Sequence, residues 1–229
     1  INCLKEYHEL CQAHGVDKIF LTATSAVREA QNKSEVIEKI KEATDLVVDV
    51  LSGDQEAYLS YCGAISDLDN KGKYLVVDIG GGSTELVYPT KKGLQFKSVP
   101  VGAVVITEEV LSRKKVLSLL GSLGKVEYVA NHALVGVGGT VTTLVAMKLQ
   151  LEKYDPCLVH GQVLTLLEIE EMSRKIQKMS LQERMQIKGL AKERADIIPA
   201  GLYILQTLMK NLGFTKIQVS EKDLLYGLI

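Results

Sequence analysis

VVDIGGGSTELVY, residues 76–88, is the stretch that decides the fold. The run KYLVVDI (73–79) is nearly all apolar and reads as a strand buried on both faces. It stops at three consecutive glycines and resumes as STELVYP (83–89), a second strand, with GLQFKSVP (93–100) as its hairpin partner around Lys91-Lys92-Gly93. Glycine permits positive φ and lets a backbone approach a ligand closely. Successive N–H groups in such a turn form a nest for phosphate oxygens, and Ser83 and Thr84 add hydroxyl donors. Asp78 stands at the carboxyl end of its strand, where ligands bind in open α/β sheets. A carboxylate repels phosphate directly, so its chemical use there is to hold a Mg²⁺ ion or to position a water. If the turn folds back as a hairpin, Asp78 and Glu85 face each other across its mouth. The competing reading is a tight hairpin whose glycines serve geometry alone. The pattern is neither a Walker loop, because no G-K-[ST] follows, nor a G-x-G-x-x-G opening a helix.

A second loop follows the same logic. In GVGGTVTTL (136–144) a strand ends in glycines, and Gly138, Gly139 and Thr140 open a helix. A helix N-terminus with free N–H groups accepts phosphate, while the simpler role for Thr140 is helix capping. Two such loops imply a phosphate-handling cleft between two lobes. Glu56 lies one turn into a helix opened by Ser52, with Gln55 placed to complete a capping box. Acids there suit the helix dipole, and Glu56 is also a candidate general base for attack of water on a phosphoryl group. Arg28 is either a surface helix arginine or a fork for phosphate oxygens.

Further out, DKIFLTA (17–23) and DLVVDVLS (45–52) read as strands, SAVREAQN (25–32) as a helix start, and EVIEKIKEA (35–43) as a helix capped by Asn32 or Ser34. Helices are expected at 52–65, 103–111, 113–121 and 141–151, and a strand at HALVGV (132–137). From 160 onward the chain reads as mostly helical, with ADIIPAGLYILQTLMKNL (195–212) as core, KIQVS (216–220) as the last strand and a short helix at 222–229. DLDNKGK (67–73) is a polar turn and a weak boundary. Strands alternating with helices, then helices dominating, make the fold class α/β.

The chain has 229 residues, 46% hydrophobic and 24% charged, with a net charge of −1. It has no overall attraction to nucleic acid or to a membrane surface, so a polyanion has to be held locally. No apolar run approaches the ~20 residues of a membrane helix. INCLKEYHEL does not read as a secretory signal. Cys3, Cys11, Cys62 and Cys157 show no C-x-x-C spacing and read as reduced thiols of a cytoplasmic protein.

Taken together and in order, TATSAVREAQN (22–32), SGDQEA (52–57), VVDIGGGSTELV (76–87), SVPVGAV (98–104), VGVGGTVTTL (135–144), VHGQVLT (159–165) and ERADIIPAG (193–201) resemble the exopolyphosphatase / guanosine pentaphosphate phosphatase family. The resemblance implies a two-lobed, ribonuclease-H-like fold of the actin-like ATPase superfamily. Residues 1–76 are then the C-terminal part of the first lobe and 77–229 the second, with 216–229 packing back towards the first. It implies Mg²⁺-dependent release of terminal phosphate from polyphosphate, or of the 5′ γ-phosphate from guanosine pentaphosphate. It gives Glu56 as the catalytic base, Arg28 as a phosphate contact, and Asp78 with Gly80, Gly81, Gly82, Ser83, Thr84 and Glu85 as the phosphate and metal loop. Gly136 to Thr140 correspond to the superfamily's adenosine loop. A homodimer is an expected assembly.

The departures are specific. No counterpart of the family's opening I-D-x-G-S-N-S loop is found, so the first lobe is expected to be incomplete in this chain. Gln55 replaces the first acid of the S-G-x-E-E-A block, Val105 stands where arginine is common, and Leu225 replaces the arginine of G-L-R-E-G. The basic spots Lys71/Lys73, Lys91/Lys92 and Arg113-Lys114-Lys115 are candidates for a polyphosphate track, or plain solvated surface. The alternative to a hydrolase is a non-catalytic protein that senses nucleotide or polyphosphate.

Overall fold

Hydrophobic strands buried on both faces need helices to cover them, and the computed structural model provides that arrangement for residues 1–68, 73–124, 126 and 132–229. Lys71 and the middle of the DLDNKGK turn lie outside the described residues. The chain forms two compact units, Ile1–Ala57 and Tyr58–Gly227. The boundary expected at 76/77 runs through a strand of the second unit.

The first unit contains α1 (Asn2–Ala13), β1 (Leu21–Ala23), α2 (Ser25–Arg28), α3 (Lys33–Thr44), β2 (Val48–Val50) and the start of α4 (Gly53–Ile65). β1 and β2 are parallel, with Leu21 opposite Val48 and Ala23 opposite Val50. Both strands are shorter than their apolar runs. α3 holds its register to Thr44 and ends on Asp45 in the left-handed region (φ 56°), which delays β2. Asn32 occupies the N-cap of α3 without bonding through its side chain. The capping box of α4 forms in full: Gln55 N–H donates to Ser52 Oγ (3.2 Å) and Ser52 N–H to Gln55 Oε1 (2.9 Å). Gln55, the neutral neighbour of Glu56, therefore has a local structural use.

The second unit continues with β3 (Lys73–Ile79), β4 (Thr84–Thr90), β5 (Gly93–Val99), α5 (Ala103–Thr107), α6 (Arg113–Leu123), β6 (His132–Val137), α7 (Gly139–Lys148), α8 (Pro156–Val159) and β7 (Val163–Thr165). It closes with α9 (Leu166–Ile176), α10 (Leu181–Arg184), a 3₁₀ turn at Lys192–Arg194, α11 (Ile198–Leu212), β8 (Lys216–Val219) and α12 (Leu224–Gly227). One sheet runs in the order β5-β4-β3-β6-β8-β7. β3, β6 and β8 are parallel; β4 and β5 form the expected hairpin, closed by the Thr90–Gly93 pair around Lys91-Lys92. The last strand sits inside this sheet, between β6 and β7. The core joins Leu75, Val77 and Ile79 of β3 to Leu144 of α7 and to Leu202 and Leu205 of α11.

Two expectations change. Val163–Thr165, read as part of a helical region, is a short edge strand antiparallel to β8. Its three residues are too few to carry a period. The helix expected at 103–111 ends at Thr107, and Glu109 turns the chain with φ 52°. Among the described residues, no helix is long and apolar enough to cross a membrane.

Candidate functional site

In the first unit the two parallel strands deliver the charged residues. Each is followed by a helix, and Leu51 N–H donates to Ala23 O (2.9 Å), so the two strand exits lie together. Arg28, last residue of α2, donates from Nη1 to Leu51 O (2.7 Å) and to Glu56 Oε2 (2.9 Å). Its Nη2 lies 3.8 Å from Glu29 Oε1. The side chains of Arg28 and Glu56 are 26% and 31% exposed, so the pair is open to a ligand. Glu56 thus has its charge balanced by a guanidinium that keeps other N–H groups for an anion.

In the second unit the glycine turn is built by its neighbours. Asp78 pairs with Glu85, and Ile79 with Thr84, in the β3–β4 register. Directly opposed residues of an antiparallel pair put their side chains on one face, so the two carboxylates do share the mouth of the hairpin. Gly80 N–H donates to Ser83 O (3.0 Å) and closes the turn. Its carbonyls are held by the start of α5: Ala103 N–H donates to Gly80 O (3.0 Å), Val104 N–H to Gly81 O (2.9 Å) and Val105 N–H to Gly81 O (3.3 Å). A Cβ on Gly102 would lie 2.1 Å from Gly81 O, which explains the glycine of SVPVGAV. None of Gly80, Gly81 and Gly82 has positive φ. Of the three, only Gly81 is closely packed, with a Cβ there 3.1 Å from Val104 Cγ2, while a Cβ on Gly82 would meet nothing within 4 Å; none serves the left-handed turn that the triplet suggests.

The second loop lies beside the first, because β6 runs parallel to β3 with Val137 opposite Asp78. Gly138 is left-handed (φ 82°), and a Cβ there would sit 2.4 Å from Asp78 Oδ1. It is the N-cap of α7 and offers no side-chain cap. Thr140 is inside the helix rather than capping it, and donates to Ile79 O (3.2 Å). Thr84 is fully buried and donates to Val101 O (2.6 Å). Both hydroxyls are therefore engaged, Thr140 with the end of β3 and Thr84 with the segment before α5, so neither is among the donors available to an anion. Glu85 accepts from Ser98 Oγ (2.9 Å), its partner on β5.

Arg194 is the residue that sequence reasoning left without a role. Its guanidinium lies over Gly139, where a Cβ would be 1.6 Å from Nη1. The sequence carried only its place in ERADIIPAG. Arg194, Gly138 and Gly139 line a cavity of about 570 Å³, whose other walls include Tyr154, Glu152, Glu221 and Asp223. Tyr154 donates its hydroxyl to Glu221. Burial and that carboxylate push the phenol up to about 12. Leu225, in place of the expected arginine, is exposed on α12.

Among the described residues no three His, Cys, Asp or Glu side chains cluster as a metal site. Mg²⁺ asks for less than that. It takes one or two carboxylates and completes its shell with water and substrate phosphates. Asp78 and Glu85, opposed in the β3–β4 register, are the carboxylates that could hold such an ion, Asp78 lying against Gly138 and Glu85 accepting from Ser98.

The sequence profile of the Ppx/GppA phosphatase family matches residues 1–229. The chain is 35% identical to the bifunctional 3-dehydroquinate synthase/phosphatase of Fusobacterium nucleatum, over all of this chain and 37% of that protein. It therefore spans little more than a third of that relative's length. It is 28% identical to exopolyphosphatase 2 of Mycobacterium tuberculosis, over 98% of this chain and 78% of that one. The crystal structure of the Aquifex aeolicus Ppx/GppA phosphatase, type II variant, superimposes with a TM-score of 0.87 at 32% identity, covering 99% of this chain and 79% of that one.

Proposed function

The chain belongs to the Ppx/GppA phosphatase family and has its actin-like fold, and on that premise we propose that it hydrolyses terminal phosphoanhydride bonds of polyphosphate and of guanosine pentaphosphate. The observation that carries the proposal is the contact of Asp78 with Gly138, which sets two glycine loops side by side at the carboxyl ends of adjacent parallel strands. Amides of residues 81–83, beyond the Gly80 N–H that closes the turn, and of the α7 N-terminus hold phosphate oxygens, where the helix dipole adds to their attraction. Asp78 and Glu85 hold Mg²⁺, which when bound neutralises charge on the phosphate oxygens. Glu56 takes a proton from the attacking water. Arg28, already on Glu56, orients that carboxylate and stabilises the charge that builds on the transferred phosphoryl group.

Guanosine pentaphosphate is included because of the cavity beside Gly138 and Gly139. A phosphate needs far less than its 570 Å³, which falls in the range of small-molecule sites. Three carboxylates line it against one guanidinium, an environment that repels phosphate and admits an uncharged base. The test is orthophosphate release with Mg²⁺ from both substrates, by the parent and by Glu56→Gln. The variant is expected to bind substrate and to lose about 10²- to 10⁴-fold in rate, the usual contribution of a general base. Equal release by both proteins would remove Glu56 from the chemistry; binding of either ligand without turnover by the parent would favour a sensor.

A further inference from the structure

The cavity beside Gly138 and Gly139 has two unlike ends, and α7 sets the distance between them. Gly139 opens the helix; Thr143 lies about 6 Å further along it and Ala146 about 10 Å, at about 1.5 Å per residue. At the near end stand the first amides of α7 and the guanidinium of Arg194 over Gly139, groups that suit phosphate. At the far end Ala146 and Leu190 are buried and Leu151 partly so, an apolar lining that suits the face of a base. A ribose joins a base to its phosphates, so in a nucleotide laid along α7 the sugar falls between these ends.

Three carboxylates line the cavity, and two are engaged elsewhere. Glu152 is 80% exposed and paired with Lys188 (2.7 Å). Asp223 is exposed, and its Oδ1 accepts from Leu225 N–H (3.0 Å). Glu221 differs. Its backbone is pinned beside the glycine loop, by Ser220 N–H on Gly136 O (2.9 Å) and by its own N–H on His160 Nδ1 (3.1 Å). Its Oε1 accepts from the Tyr154 hydroxyl. Among the described residues no lysine or arginine pairs with it. One oxygen of the carboxylate is thus held, and Oε2 keeps its lone pairs for a ligand. A fixed carboxylate repels phosphate, but from a hydroxyl it accepts a charge-assisted hydrogen bond. We propose that Glu221 reads the ribose of the bound nucleotide, its Oε2 accepting from the 2′-hydroxyl while Tyr154 holds Oε1 in place. This role rests on the reading that guanosine pentaphosphate enters the cavity. The 3′ oxygen of that nucleotide is esterified, so the 2′-hydroxyl is the one donor its sugar has left.

Guanosine tetraphosphate, the product of the proposed reaction, binds without turnover and is the probe, beside its 2′-deoxy counterpart. Calorimetry in Mg²⁺ gives both dissociation constants for the parent chain. The ribose form is expected to bind about 10- to 100-fold tighter, as a hydrogen bond to a charged acceptor implies. In Glu221→Ala that ratio is expected to fall to about one, whereas damage to the cavity alone would weaken both forms together and keep the ratio. Should that variant not fold, Glu221→Gln keeps the shape and a neutral acceptor, and its ratio is expected at about 2- to 10-fold. Equal binding of the two forms by the parent, or the parent's full ratio in either variant, would overturn the role of Glu221 and leave the nucleotide reading standing. Failure of the parent to bind either form would overturn both, by removing the nucleotide from the cavity.

Discussion

Gly138→Ala puts the largest question to the site. Two costs are read from one residue. Its φ of 82° with ψ 170° lies in a region essentially reserved for glycine, which a Cβ disfavours by about 1–3 kcal/mol. Alanine returns about 0.4–1 kcal/mol by restricting the unfolded chain, so the net backbone cost is about 1 kcal/mol. The second cost is local. The new Cβ would lie 2.4 Å from Asp78 Oδ1, against 3.4 Å for ordinary contact, so the carboxylate must retreat by about 1 Å. Misplacement of a reacting group by that amount lowers rate by about 10²-fold. Gly213→Ala is the control for a positive φ without a contact: it sits in the milder αL region (φ 76°, ψ 21°), with nothing within 4 Å of its Cβ. Gly213→Ala is therefore expected to melt about 2–4 °C lower, as ~1 kcal/mol implies for a chain of this size, and Gly138→Ala to melt at least as much lower. Only Gly138→Ala is expected to lose orthophosphate release, by about a hundredfold. If Gly138→Ala folded and retained full release, the position of Asp78 would not matter to the reaction and the site as drawn would be refuted.

Gly102→Ala would place a Cβ 2.1 Å from Gly81 O and 2.5 Å from Gly82 N, both backbone atoms, so the 80–83 turn must move; a higher KM for phosphate donors is expected in steady-state assays, without the larger kcat loss of Glu56→Gln. Glu168 is held below its usual carboxylate range by Lys148, 2.7 Å away, and by Thr165. A depressed value means stability present above the unfolded carboxylate range and lost as pH falls through the folded value. Melting curves of Glu168→Gln and parent should therefore converge in acid. Tyr154, pushed up to about 12 by burial and Glu221, has the opposite sign. Its contribution is complete below the ordinary phenol value and is lost as pH rises towards 12. Ultraviolet titration should show a late tyrosine that disappears in Tyr154→Phe, beside Tyr58 and Tyr61, which are also raised.

Much of this was legible in the chain itself. β3 and β6 occupy the residues their apolar runs mark out, because strands buried on both faces leave no ambiguity of period. The Ser52–Gln55 box formed as spelled, since a cap is decided within four residues. Asp78 and Glu85 were paired correctly because a hairpin's register follows from its loop length. The family, too, was readable from ordered motif blocks. What the sequence could not decide is set by atoms distant along the chain. Thr84 and Thr140 looked like phosphate donors until their hydroxyls met Val101 O and Ile79 O. The glycine triplet looked left-handed, yet its conformation answers to the start of α5. Arg194 comes to lie over Gly139 through the packing between them, and His160 meets Asp67, 93 residues away. Local hydrogen bonds and hydrophobic period are written in neighbouring residues; close approach and side-chain pairing between remote segments exist only once the core of Leu75, Leu144 and Leu202 has closed around them.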